Sequence, residues 1–119
     1  MADLGEVWEH KEQAPIPLGC IAAHRRLPAD LHAKVDRLIR KSLQHSFAAY
    51  PQVSGYVQQH AQAMDENVMR QHIELYVNNY SMDLGPQGKK AVEQLYGVYR
   101  QMNPTTAAQN LFAATDAAV

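Results

Sequence analysis

The sequence predicts a mainly α-helical chain with one short strand. Most of the chain repeats apolar residues at the three-and-four spacing of amphipathic helices. One stretch, residues 14–23, is instead apolar almost without interruption and begins with two prolines, a pattern that suits a short buried strand. With 119 residues, we expect one compact domain over residues 1–104 and a weakly structured tail over 105–119.

The first two helices are predicted on either side of that strand. In residues 3–12, Leu4, Val7 and Trp8 fall on one side of a short helix. After Pro28, a long apolar stripe extends from Leu31 to Phe47, with basic residues off the stripe. This second stretch is the clearest helical pattern in the chain.

Three further segments follow. Pro51 is expected to open a shorter helix that ends near Gln62, because proline is tolerated in a first helical turn. Asp65 can cap the next helix through its carboxylate. The apolar stripe of that helix contains Met69, His72, Ile73, Tyr76, Val77 and Tyr80.

The Gly85-Pro86 pair predicts a turn over residues 81–86, since this dipeptide punctuates helices. A last helix is expected over residues 87–102 and ends at Asn103-Pro104.

The predicted strand raises a physical problem. A single strand cannot form a sheet, and a buried unpaired backbone amide costs roughly 1–3 kcal/mol. Either a second chain supplies the partner strand, or residues outside this sequence do. We therefore expect the chain to be part of a longer protein.

The charge balance excludes several classes of partner. Eleven basic residues stand against twelve acidic ones, and no run of like charge suggests binding to nucleic acid or to a membrane surface. No stretch reaches the roughly 18 apolar residues that a spanning helix requires. The only cysteine, Cys20, has no partner for an internal disulfide, so we expect a cytoplasmic protein.

The residues give no catalytic centre. The six histidines lack HExxH or any other close ligand spacing, so we expect no metal and no cofactor. Cys20 lies in an apolar segment and is interpreted as an inert core thiol. His72, one helical turn before Tyr76, is interpreted as a hydrogen-bonded core residue. We assign no catalytic residue.

Several motifs nevertheless carry a resemblance over roughly residues 3–102. They are Asp3-Leu4-Gly5-Glu6-Val7-Trp8-Glu9, Pro15-Ile16-Pro17-Leu18-Gly19-Cys20-Ile21-Ala22 with Arg25-Arg26, His60-Ala61-Gln62 through Tyr76-Val77-Asn78, and Ser81-Met82-Asp83-Leu84-Gly85. In order and spacing they resemble the C-terminal region of the 1,4-dihydroxy-6-naphthoate synthases, enzymes of the futalosine route to menaquinone.

The resemblance implies a parent with two α/β lobes, like a type II periplasmic solute-binding protein, and a substrate cleft between them. It implies a metal-free lyase that converts cyclic dehypoxanthine futalosine to 1,4-dihydroxy-6-naphthoate. The family's histidine base lies upstream of the matched region and has no counterpart here, so we expect this chain to be inactive alone.

Two residues are carried over as substrate-binding. Leu18, in the Pro-Leu-Gly motif, and Tyr76, in the Leu-Tyr-Val-Asn motif, match residues that the family places at the cleft mouth. The alternative is that both are core residues, because a stripe at helical spacing is usually packing. A missing lobe would also leave apolar faces exposed, which implies a homodimer through strand edges or helix faces.

Two other functions fit the same fold. One is a solute-binding or interaction module, since fold does not fix function. The other is a relative of the chorismate dehydratases, from which the Pro-Leu-Gly motif points away.

Overall fold

The computed structural model describes residues 1–60 and 65–113, and all regular structure in them is helical. The helices are α1 (Leu4–Glu12), α2 (Ala29–Ala49), α3 (Gly55–His60), α4 (Glu66–Tyr76), α5 (Asn79–Met82) and α6 (Gly85–Met102). The predicted mainly helical fold is confirmed. None of these helices is both long enough and apolar enough to cross a membrane in the part of the chain described.

The chain divides into two compact units, of which the first contains α1 and α6. Asp3 caps α1, because its Oδ1 accepts a hydrogen bond from the backbone N–H of Glu6 at 3.0 Å. The Nε2 of Gln94 on α6 donates to the carbonyl oxygen of Glu12 at 3.3 Å. Gly88 and Ala91 are the buried residues of α6, and their small side chains permit close packing there.

The second unit contains α2, α3, α4 and α5. α2 packs against α5, and its one buried residue is Ala33. Asp36 and Arg40, one turn apart, form an ion pair at 3.3 Å on the same helix. Because both side chains are substantially exposed, this pair contributes well under 1 kcal/mol.

Hydrogen bonds determine where α4 begins and which of its sides faces the end of α2. Asp65 accepts from the backbone N–H groups of Asn67 and Val68, so the predicted N-cap is confirmed. Arg70 donates to the carbonyl oxygen of Pro51 at 3.3 Å and lies 5.2 Å from the centre of the Tyr50 ring. The Tyr50 hydroxyl lies 3.3 Å from Glu74 Oε1, to which it donates.

The predicted short strand is wrong. Residues 14–23 contain no regular secondary structure, although Pro15 and Pro17 favour extended backbone there, and no backbone hydrogen bond joins them to another described segment. Pro15 and Pro17 lack an amide donor, and a strand exists only through a partner that completes its ladder. Extended backbone without that partner is an irregular segment.

Two helix starts also differ from the prediction. α3 begins at Gly55 and not at Pro51, because the Ser54 hydroxyl accepts from the backbone N–H of Val57 and caps the helix there. α6 begins at Gly85, so the Gly-Pro pair opens that helix rather than forming a turn before it. Gly85 has a φ of 58°, which favours glycine, and Pro86 suits a first helical turn. The predicted end near Gln62 lies outside the described residues.

Candidate functional site

Leu18 lies in the extended segment of the first unit and is 50% exposed. The preceding Ile16 is half-buried, and its Cγ2 is 3.6 Å from the position a Cβ would occupy on Gly5 of α1. The backbone of Gly19 faces open space, since nothing lies within 4 Å of its Cβ position. Ile16 therefore anchors the segment on α1, while Leu18 projects beyond the anchored part.

Tyr76 is the last residue of α4 and is 51% exposed. Its ring centre lies 4.6 Å from that of His72, and the two planes are tilted by 35°. The carbonyl oxygen of Tyr76 accepts from the Ser81 hydroxyl at 3.3 Å, a bond that fastens the chain reversal after α4. Tyr76 thus presents a flat aromatic face on a locally restrained backbone.

His72 and Cys20 are placed differently from their predicted positions. Both are exposed, so the interpretation as core residues is wrong for each. Cys20 is exposed because the segment around it has no partner, and His72 because α4 turns Met69, Ile73 and Val77 inward instead.

The contacts that Arg70 and Glu74 make with Tyr50 show which side of α4 faces the end of α2, and therefore on which side Tyr76 lies. Successive helical residues are separated by about 100°, so Arg70 and Glu74 share one side, whereas His72 and Tyr76 share roughly the opposite side. The side that is bonded to Tyr50 and Pro51 faces the end of α2. The aromatic pair therefore faces outward.

An open depression of about 550 Å³ lies on the bonded side. Five residues line it: Phe47, Glu74, Val77, Asn78 and Asn79. Phe47 and Val77 supply apolar surface, and Glu74 is the single ionisable residue among the five. This lining can hold a small or flat group, but it provides no pair of groups for acid and base catalysis.

The side chain of Asn78 serves the backbone rather than a ligand. Its Nδ2 donates to the carbonyl oxygen of Leu75, and its Oδ1 accepts from the backbone N–H of Tyr80. The Asn of the Leu-Tyr-Val-Asn motif therefore shapes the turn between α4 and α5.

The Leu-Tyr-Val-Asn motif points to Tyr76 as a site residue, but no sequence motif points to Phe47 or Glu74. Phe47 was assigned to a helical stripe, and nothing in the sequence signals that Glu74 is bonded to Tyr50. Leu18 belongs to the first unit and Tyr76 to the second. Their predicted role in substrate binding stays a prediction.

A search for metal ligands gives no cluster of three or more His, Cys, Asp or Glu side chains within residues 1–60 and 65–113. His24 and His32 are linked differently, since His32 Nε2 lies 3.2 Å from the carbonyl oxygen of His24. That contact closes the loop before α2.

Comparison with known proteins gives consistent matches. The family model described as menaquinone biosynthesis matches residues 1–101. A 1,4-dihydroxy-6-naphtoate synthase of Streptomyces coelicolor is 42% identical over 95 residues, which are 80% of this chain and 34% of that protein. A protein of the same name from Thermus thermophilus is 35% identical over 96 residues, or 81% of this chain and 35% of that protein. The chain thus spans about a third of the length of these curated relatives, and no solved structure matches it.

Proposed function

Because this chain belongs to the menaquinone biosynthesis family, we propose that it forms the C-terminal part of a lyase producing 1,4-dihydroxy-6-naphthoate. The proposed substrate is cyclic dehypoxanthine futalosine. The observation that carries the proposal is the 42% identity to the Streptomyces synthase over 80% of this chain. The family match over residues 1–101 supports it independently of any single relative.

We expect the chain to be inactive by itself. Supporting this, it spans about a third of its relatives, and the depression beside Phe47 offers one carboxylate without a second ionisable group. A lyase step on a futalosine needs a positioned base and an enclosed site. Both would come from the part of the enzyme that this chain does not match.

Leu18 and Tyr76 are proposed to contact the substrate. Their half-exposed side chains favour a role in contact over a role in core packing. A flat aromatic carboxylate, the class to which a naphthoate belongs, stacks well on a tyrosine ring, and such contacts contribute about 0.5–1.5 kcal/mol. Leu18 offers apolar surface beside a glycine whose surroundings are open.

The remaining expectations are also proposals: a parent with two α/β lobes, a cytoplasmic location, and one domain over residues 1–104. We also propose that the chain forms a homodimer when no other polypeptide covers its exposed apolar surface. Its support is a row of exposed apolar side chains on one side of α6, namely Leu95, Tyr99 and Met102.

The test of function is an activity assay on a fusion. The part of the Streptomyces synthase outside the matched region is joined to this chain, and conversion of cyclic dehypoxanthine futalosine is followed by mass spectrometry. We expect turnover by the fusion and none by the chain alone. Turnover by the isolated chain would contradict its proposed dependence on the rest of the enzyme. An inactive fusion that folds like the intact synthase would contradict the proposed activity.

The proposed role of Tyr76 is tested in the same fusion. Tyr76→Ala should lower kcat/KM about tenfold, in line with the loss of one stacking contact. Tyr56→Ala is the matched control, since Tyr56 is also exposed and stacks on a histidine, His60, at 4.2 Å. Equal effects of the two substitutions would remove the specific role of Tyr76.

A further inference from the structure

α2 has a packed side and, next to it, an exposed apolar row. Its residues of lowest exposure up to Leu43 share one side of the helix: His32, Ala33, Asp36, Ile39, Arg40 and Leu43. The exposed row contains Leu31, Val35 and Leu38, spaced four and then three residues apart, which places them in one straight row. We call Leu31, Val35 and Leu38 the α2 outer stripe.

The two sides differ in exposure within the same helix. Ala33, on the first side, is 7% exposed, whereas Leu31, Val35 and Leu38 are 38%, 42% and 56% exposed. A surface helix normally presents one apolar side to its core and polar residues elsewhere. An apolar row left exposed beside the packed side is typical of a helix that a further layer covers.

The length of the relatives indicates which polypeptide covers the α2 outer stripe. The matched regions make up 34% and 35% of the two synthases, so about two thirds of each lies outside the part that this chain resembles. We propose that the α2 outer stripe is the docking surface for this remaining two thirds of the family fold. The proposal rests on the proposed function, because it takes the covering polypeptide from the same enzyme.

Charged residues border the stripe on one side. Lys34 follows Leu31 by three residues and Lys41 follows Leu38 by three, so both flank the row along the same edge. Their apolar stems widen the contact surface while their ammonium groups reach solvent. The covering surface is therefore apolar opposite the stripe and carries acceptors or carboxylates along the Lys34 and Lys41 edge.

The experiment compares two charge insertions on α2. Leu38→Glu places a carboxylate in the stripe, and Gln44→Glu places the same group on an exposed position away from it. The remaining two thirds of the Streptomyces synthase is expressed separately, and its binding to this chain is measured by calorimetry. We expect a one-to-one complex that Leu38→Glu weakens at least about tenfold, because it removes a buried leucine and buries a charge. Gln44→Glu should change affinity less than about twofold.

A second measurement covers the case in which the separate polypeptide does not fold alone. In the covalent fusion, Leu38→Glu should lower the thermal midpoint by several degrees relative to Gln44→Glu. Circular dichroism of the isolated chain should be alike for both variants, since neither side chain is buried there. Equal midpoints for the two fusion variants would overturn the proposal.

Two other outcomes separate this inference from its alternatives. If Leu38→Glu instead disrupts a homodimer of the isolated chain and leaves the complex unchanged, a second copy is the occupant and the proposal is wrong. If the complex forms through the stripe but yields no turnover, the docking surface stands and the proposed activity fails.

Discussion

The extended segment over residues 14–23 and helix α2 are close in sequence and both rich in apolar residues, yet only the helix acquired regular structure. α2 completes most of its backbone hydrogen bonds within its own 21 residues, because each amide after the first turn finds a carbonyl four residues earlier. The extended segment cannot form such hydrogen bonds within itself, and its backbone has no hydrogen-bond partner among the residues described. Apolar composition alone therefore does not create a strand, whereas a helical period is enough to create a helix.

Hydrogen exchange should show this difference most strongly. Amides in the middle of α2, such as that of Ile39, should exchange about a hundredfold more slowly than the amide of Ile21 in the extended segment. The measurement is exchange of the isolated chain followed by NMR or mass spectrometry. Comparable protection at Ile21 would mean that the segment finds a partner in solution and would break the comparison.

Gly85 tests how much the backbone conformation of one residue at the start of α6 contributes to the stability of the chain. Gly85 has a φ of 58°, so Gly85→Ala should destabilise the folded chain by about 1–2 kcal/mol through left-handed strain. Urea unfolding followed by circular dichroism measures this. Gly97→Ala is the control, because Gly97 lies inside α6 and no atom outside its own stretch of helix lies within 4 Å of its Cβ position. That change should be neutral or stabilising, and a loss equal to that of Gly85→Ala would argue against strain.

Substitutions at the helix N-caps should also destabilise the chain locally, but less than Gly85→Ala. Asp65→Ala removes an acceptor from two backbone N–H groups at 2.8 and 3.1 Å and should cost about 1 kcal/mol. Asp3→Ala removes a single bond to Glu6 and should cost less. Helicity and urea midpoints of both variants test the ranking. A larger loss for Asp3→Ala would show that the bond count does not set the stability of these helix starts.

The smallest effect is expected at the tie between α2 and α4. Tyr50→Phe removes the 3.3 Å bond to Glu74 but keeps the ring under Arg70. Because the bond is exposed, the loss should be under about 0.5 kcal/mol. Tyr50→Ala removes both contacts and should cost more. If the two variants unfold at the same urea concentration, the ring contact contributes nothing measurable.

Local rules predicted the helices well. The cap at Asp65 and the stripe of α2 follow from residues within one or two turns of each other. The starts of α3 and α6 were misplaced because proline and glycine fit both a turn and a first helical turn. For α6 the backbone conformation at Gly85 distinguishes the two, and for α3 the cap at Ser54 does.

The candidate site was less predictable. The motif over residues 75–78 drew attention to Tyr76, but the depression nearby is lined by Phe47 and Glu74 from two different helices. Their proximity depends on the bonds from Arg70 and Glu74 to the end of α2. Contacts between residues 19 and 24 positions apart cannot be predicted from a local sequence pattern.

The sequence by itself determined the helical character of this chain, the N-cap at Asp65 and membership of the menaquinone biosynthesis family. These depend on near neighbours along the chain or on the order of motifs. Tertiary structure alone decided that residues 14–23 form no strand and that α2 keeps the row of Leu31, Val35 and Leu38 exposed. Both outcomes depend on what lies against the segment, and hydrogen-bond partners and packing surfaces come from residues distant in sequence.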